Sequence, residues 1–301
     1  MKELTMTLHD NHQVEVAVFE PENPIGTVQV LHGMAEHMGR YYKIGEYFES
    51  LGYKVVMNNH MGHGKSGSDD DRGHFDQIET LARQAEEVLE SFVIKDKPVI
   101  LIGHSMGSII ARQYVIMFPD RFDALILSGT SFYEGNHRVS LQTLNSLMLV
   151  FGKDAKLHSV NQAVIKQFNK KIKPLKTESD WLSRNEDNVR SFIDDPYSGF
   201  DMSLNALAEI LRAMKHTQKK HEIKKMNPDM PILLVSGQED AFSNYGKGIE
   251  KLGRAYKQAG MTHVRVQLYK HSRHEVLFES NQEKVLDRLL IWLKGIVKHD
   301  R

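Results

Sequence analysis

A serine hydroxyl is a poor nucleophile at neutral pH. It becomes a good one when a histidine takes its proton and a carboxylate fixes that histidine's tautomer. Ser105 lies in Gly103-His104-Ser105-Met106-Gly107, between a short apolar run from Pro98 to Ile102 and a helix-compatible run from Ser108. That context puts the serine on a sharp strand-to-helix turn with its hydroxyl exposed above a sheet. Glycines two residues to either side avoid clashes across so tight a turn. The helix that follows leaves the Met106 N–H free to donate to a developing oxyanion.

In this arrangement the acid and then the histidine follow the serine along the chain. Pro231–Ser236 reads as a strand and runs into Gly237-Gln238-Glu239-Asp240. Asp240 is the preferred acid, with Glu239 as its rival. Val264–Tyr269 reads as the last strand and runs into Lys270-His271-Ser272-Arg273-His274-Glu275. His274 is the preferred base, with His271 as the alternative. A second oxyanion donor is expected in the loop after the Thr27–Leu31 strand, at His32-Gly33-Met34. Gly33 lets the backbone approach a substrate, and the Met34 N–H would donate. Losing one such donor typically costs about 10²–10³ in rate.

Other strings carry less. Gly62-His63-Gly64-Lys65-Ser66-Gly67 satisfies GxGxxG, but Ser68-Asp69-Asp70-Asp71-Arg72-Gly73 follows where a dinucleotide site needs a helix. His60 with His63, and His271 with His274, are histidine pairs without a HExxH or comparable ligand set. Neither a cofactor nor a metal is expected.

The candidate residues need a frame that brings strand ends together. Leu4–Leu8 and Val14–Phe19 alternate apolar and polar residues about Asp10-Asn11-His12, as an edge hairpin would. From Thr27 onward strands alternate with helical patterns. Helices are expected over Tyr41–Leu51, from Ile78 to Phe92, over Tyr245–Gln258 and over Gln282–Lys298, the last with Val285, Leu289, Trp292 and Val297 on its apolar side. The expected fold is α/β: a mostly parallel eight-stranded sheet with helices on both faces and an antiparallel edge. Sites in such sheets lie beyond the carboxyl ends of the strands. Residues 131–203 break the rhythm. They hold helical apolar sets such as Leu141, Leu144, Leu147, Met148 and Phe151, with lysines scattered among them. This segment reads as a helical cap inserted between a first core part, 1–130, and a second, 204–301. Its lysines read as a solvated face, and transient membrane contact through it is a further expectation.

Composition sets the remaining bounds. The 301 residues are 41% hydrophobic and 26% charged, with a formal net charge of +0. That is ordinary globular composition, with no global pull toward nucleic acid. There is no cysteine, which removes thiol chemistry and disulfides and fits a cytoplasmic location. Met1–Asp10 has acidic and polar residues where a signal peptide would need an apolar run, and no apolar run approaches the ~20 residues of a membrane span.

The chain resembles the monoacylglycerol lipase and lysophospholipase branch of the α/β-hydrolases, in the serine aminopeptidase S33 family. The likeness rests on His32-Gly33-Met34-Ala35-Glu36-His37-Met38-Gly39-Arg40-Tyr41, which is similar to that branch's HGxxEHxxRY segment. It extends through Gly62–Gly67, Arg72-Gly73-His74-Phe75 and the Gly103–Gly107 elbow. Leu182-Ser183-Arg184, Asp195-Pro196, Gly237–Asp240 and Arg273-His274-Glu275 complete it. Asn59-His60-Met61, Ser108 and Ala241 depart from the pattern. The resemblance implies Ser105, Asp240 and His274 as a catalytic triad, with Met34 and Met106 as oxyanion donors. It implies a cap over a lipid-sized apolar pocket. The expected substrate is a small-molecule acyl ester or a monoacyl lipid, with no cofactor. Short-chain esters, or peptide cleavage and acyl transfer by the same triad, are the alternatives.

Overall fold

The computed structural model describes residues 1–66 and 71–296. Gly67 to Asp70 of the glycine-rich string lie outside the described residues, as do Val297 and Lys298.

Eight strands form one sheet: β1 (Lys2–Thr7), β2 (Gln13–Phe19), β3 (Gly26–Leu31), β4 (Tyr53–Asn58), β5 (Val99–His104), β6 (Ala124–Ser128), β7 (Ile232–Gly237) and β8 (Val264–Tyr269). Their spatial order is β1-β2-β4-β3-β5-β6-β7-β8. β1 and β2 pair antiparallel, β2 joins β4 antiparallel, and every other pairing is parallel. The central strands β3 to β7 are buried at every position, as a sheet covered on both faces requires.

Alternate residues of each strand feed two cores. Leu101, Leu125, Leu127 and Leu234 face α2 (Ile78–Phe92), α3 (Met106–Met117), α7 (Leu204–Thr217) and α9 (Lys247–Ala259). Ile100, Ile102, Ile126 and Val235 face α1 (Tyr42–Ser50) and α10 (Gln282–Ile296). The period of two along each strand makes this possible. A short helix, α8 (Lys220–Ile223), precedes β7.

Between β6 and α7 the described chain forms no strand. It holds α4 (Gly135–Phe151), α5 (His158–Asn169) and α6 (Glu186–Asp194). This segment leaves the sheet at the carboxyl end of β6, beside Ser105, whose N–H donates to the Ser128 carbonyl at 2.9 Å.

Two local expectations change. The helix expected from Tyr245 begins at Lys247 instead. Asn244, Tyr245 and Gly246 take positive φ values of 51°, 58° and 84°, a left-handed turn that a right-handed helix cannot contain. Phe151, grouped with Leu144 on an apolar face, is 55% exposed beside Leu149 and Val150. Only Leu144 of α4 is buried.

Candidate active site

The strand ends of β5, β7 and β8 bring three side chains into one hydrogen-bonded line. His274 Nε2 lies 2.9 Å from Ser105 Oγ, and His274 Nδ1 lies 3.1 Å from Asp240 Oδ1. Ser105 sits between β5 and α3 with φ 51° and ψ −117°, a backbone state that few side chains tolerate. The glycines beside it are steric necessities. A Cβ on Gly107 would collide with the carbonyls of Leu31 and His32, and one on Gly103 would meet the Gly107 carbonyl. Gly237, at the end of β7, lets the histidine loop close in: a Cβ there would strike the Ser272 and Arg273 carbonyls.

The acid is fully buried and well supplied with donors. Asp240 Oδ2 accepts from Ser236 Oγ at 2.8 Å, and Oδ1 accepts from the Phe242 N–H at 2.9 Å. Burial pushes the Asp240 carboxyl up. The charge and hydrogen bond of His274 and the Ser236 hydroxyl outweigh that and hold it below the usual range. Burial pushes His274 down, but the Asp240 carboxylate, helped by Glu275 and Glu36, raises it above the ordinary imidazole value. The line therefore favours an ionised acid beside a histidine ready to accept a proton.

The two rivals lie elsewhere. Glu239 forms a two-pronged pair with the Arg184 guanidinium at 2.7 and 2.9 Å. The His271 side chain is 83% exposed. Neither bonds to the Ser105–His274 pair.

Met34 and Met106 are the expected oxyanion donors: Met106 follows Ser105, and Met34 follows Gly33, which lies against Ser105. Met106 is the first residue of α3, where a backbone N–H has no partner within the helix. The Met34 loop is fixed by its neighbours. Gly33 N–H donates to Glu36 Oε1 at 2.5 Å, and Ala35 N–H donates to His63 Nε2 at 3.2 Å. A Cβ on Gly33 would lie 3.2 Å from the Ser105 Cβ, so the loop passes directly over the serine.

The family described as Serine aminopeptidase, S33 matches residues 22–281. The chain belongs to that family. A monoacylglycerol lipase of Mycolicibacterium smegmatis is 26% identical over 92% of this chain and 91% of its own. A phospholipase of Bacillus subtilis is 23% identical over 89% and 94%. A solved carboxyl esterase of Bacillus coagulans, in complex with glycerol, is 27% identical, covers 99% of both chains and superimposes with a TM-score of 0.89. This S33 chain is a serine ester hydrolase of the α/β-hydrolase fold.

The S33 chain also holds a buried ionic network that the motif spacing did not reveal. Arg40 forks onto Glu275 at 2.7 and 2.9 Å and also pairs with Glu36. Glu36 Oε1 accepts from Tyr41 Oη at 2.7 Å as well as from Gly33. Asn188, on α6, donates to Glu275 at 2.6 Å. One arginine thus joins the Met34 loop, the residue after His274 and the helical insertion. Burial pushes Glu275 up, but the Arg40 charge and fork draw it down to about 2. Burial, with the Glu275 charge, raises Glu36. The residues of HGxxEHxxRY are its parts, yet no spacing rule links Arg40 to a residue 235 positions away.

His32, His60 and His63 pack together behind the Met34 loop, with the His32 and His60 ring centroids 4.2 Å apart. Burial pushes His60 down to about 3 and His63 to about 4, so both are neutral. Among the described residues no cluster of histidine and carboxylate side chains is arranged to hold a metal ion.

Proposed function

We propose that this enzyme hydrolyses carboxylic esters through Ser105, His274 and Asp240, on monoacylglycerol, lysophospholipid or smaller acyl ester substrates. The observation that carries this reading is the line of two hydrogen bonds from Ser105 Oγ through His274 to Asp240. His274 Nε2 takes the Ser105 proton as Oγ attacks the ester carbonyl. The carbonyl oxygen, now negative, accepts from the Met34 and Met106 N–H groups. The imidazolium then protonates the leaving alcohol, and an acyl-enzyme remains. Water, deprotonated by the same histidine, releases the acid. Asp240 stays ionised and holds the ring.

The substrate class is supported by relatives named monoacylglycerol lipase and phospholipase and by a carboxyl esterase of the same fold. The segment 131–203 acts as the cap. Leu149, Val150 and Phe151 stand exposed at the end of α4. They give the cap a means of touching a lipid surface briefly. No described helix is long and apolar enough to cross a membrane.

Aminopeptidase action needs a carboxylate aimed at the substrate's amine, and three of the four candidates in the cap are paired within the cap itself. Asp180 accepts from Lys176 N–H and from Thr177. Glu178 pairs with Gln162, Glu186 with Lys176, and Asp187 is exposed. Ester cleavage is therefore the stronger reading.

The test is a hydrolysis panel with Ser105→Ala as control: short and long p-nitrophenyl esters, a monoacylglycerol, a lysophospholipid and an aminoacyl amide. Best turnover of the monoacyl lipids supports the lipid reading. Turnover of short esters alone makes this a small-ester carboxylesterase. Amide cleavage above ester cleavage overturns both.

A further inference from the structure

The helical insertion touches the candidate site at one place in particular. The Trp181 indole lies against the His274 ring, with centroids 4.9 Å apart and planes 36° from parallel. Phe168, from α5, backs the indole at 4.6 Å. Hydrogen bonds on both sides of Trp181 fasten this contact to residues on both sides of His274. Arg273 donates to the Asp180 carbonyl at 2.5 Å and to the Ser183 carbonyl at 3.0 Å. Glu275 N–H donates to the Leu182 carbonyl at 2.7 Å. The Arg273 guanidinium and the Glu275 N–H thus hold the backbone on both sides of Trp181, and with it the indole, over the imidazole.

We propose that Trp181 is a positioning residue for His274, its indole face fixing the ring and favouring the imidazolium that forms when Ser105 gives up its proton. This rests on the triad reading above. The physical reason is the ring's quadrupole, which draws a cation within about 6 Å of the indole face, most strongly where water is excluded. His274 is buried, so the charge it takes on has no water to stabilise it. Its other ring neighbours serve that charge less well. His104, 4.9 Å away, is itself a weakly basic imidazole, and Phe242 meets His274 nearly perpendicular at 5.6 Å.

The charged and titratable groups facing His274 come from every side. Asp240 lies after β7, Glu36 in the Met34 loop, Glu275 and Arg273 in its own loop, and Arg40 between Glu36 and Glu275. His104 lies at the end of β5, where burial and His274 hold it down to about 3. All of these stay in place when only the indole is changed. A plain apolar cover would have the opposite sign, since desolvation alone pushes His274 down.

The test reads the acid limb of kcat/KM against pH on a water-soluble short ester, which reports the free enzyme's base. In Trp181→Leu, which keeps the site dry but removes the π face, the limb moves down by about half a pH unit and the plateau falls. Trp181→Phe restores most of both. Fluorinated tryptophan, which enters at both Trp181 and Trp292, repeats the measurement with a near-isosteric indole, and a melting curve checks that the core around Trp292 is kept. Each added fluorine withdraws density from the ring face and lowers the limb in steps. A limb that stays fixed through the fluorine series, or one that moves up in Trp181→Leu, overturns the proposal. Ser105→Ala runs alongside. If it still turns over ester, the triad reading itself fails. If it is inactive while the limb stays fixed, only the role of Trp181 fails.

Discussion

The loops at the rim of the sheet and the helical insertion above them are built differently. Ser105, Asp240 and His274 stand on strand ends whose neighbours are buried and whose glycines admit no side chain. α4 and α5 bury few residues: Leu144 on one, Asn161 and Asn169 on the other. Leu149, the most exposed apolar residue of α4, is 89% accessible. Close packing at the rim fixes geometry to within fractions of an ångström, which nucleophilic chemistry needs. α4 and α5 instead turn most of their side chains away from the core. The two meet along the stretch from Asp180 to Asn188, which bonds to Arg273, Glu275 and Glu239 and lays Trp181 on His274, and again at His37, whose Nε2 lies 2.6 Å from Asp195. On the proposed function, the rim would carry the reaction, and the insertion would govern the choice of substrate while lending Trp181 to the rim.

Substitutions at the rim break that contrast most severely. His274→Ala should lower kcat on any ester by about 10⁶, read by steady-state kinetics. Asp240→Asn leaves the shape intact but favours the wrong tautomer, and should cost about 10⁴ in kcat. Glu36→Ala frees the Gly33 N–H and leaves Arg40 with one carboxylate. Its loss should approach the about 10² that a missing oxyanion donor costs, in kcat more than in KM.

Acid should destabilise the fold largely through groups at the rim. His60 and His63 are neutral when folded, at about 3 and about 4, and bind a proton near 6.5 when unfolded. The stability they contribute is complete above 6.5 and is lost as pH falls toward those folded values. Glu275, at about 2 when folded, adds a loss that begins only near its unfolded value of 4.5. Melting temperature should therefore fall from pH 6.5 downward and steepen below pH 4.5. His60→Phe should flatten the upper part of that decline.

The smallest effect sharpens the comparison from the other side. Leu149→Ser with Phe151→Ser should leave turnover of a soluble short ester within about twofold. Turnover of a monoacyl lipid presented in vesicles should fall at least about tenfold, since tenfold is about 1.4 kcal/mol and one such side chain withdrawn from an apolar phase costs about that much. Equal losses on both substrates would place α4 in the reaction rather than in substrate delivery.

The sequence made the rim readable because its constraints are local. A serine between glycines after a β-branched run, and an acid and a histidine after later apolar runs, each declare a strand end. The edge hairpin followed from period-two alternation, and the central strands from short apolar runs, which a sheet covered on both faces buries at every position. What stayed hidden was tertiary. Arg40 gives no local sign of Glu275, and Trp181 gives none of His274, because each contact spans segments that no spacing rule relates. The start of α9 was misread because Tyr245 suits a helix by type, while the turn holding Asp240 in place requires it to be left-handed. Phe151 was misread because apolar residues at helical spacing suggest a buried face even where nothing covers them.

The central claim is that Ser105 is the nucleophile. Intact-protein mass spectrometry after brief exposure to a phosphonylating reagent tests it most directly. One adduct, mapped to Ser105 and absent in Ser105→Ala, with ester turnover lost in step, is the predicted result. Labelling elsewhere, or full ester turnover in Ser105→Ala, would contradict it.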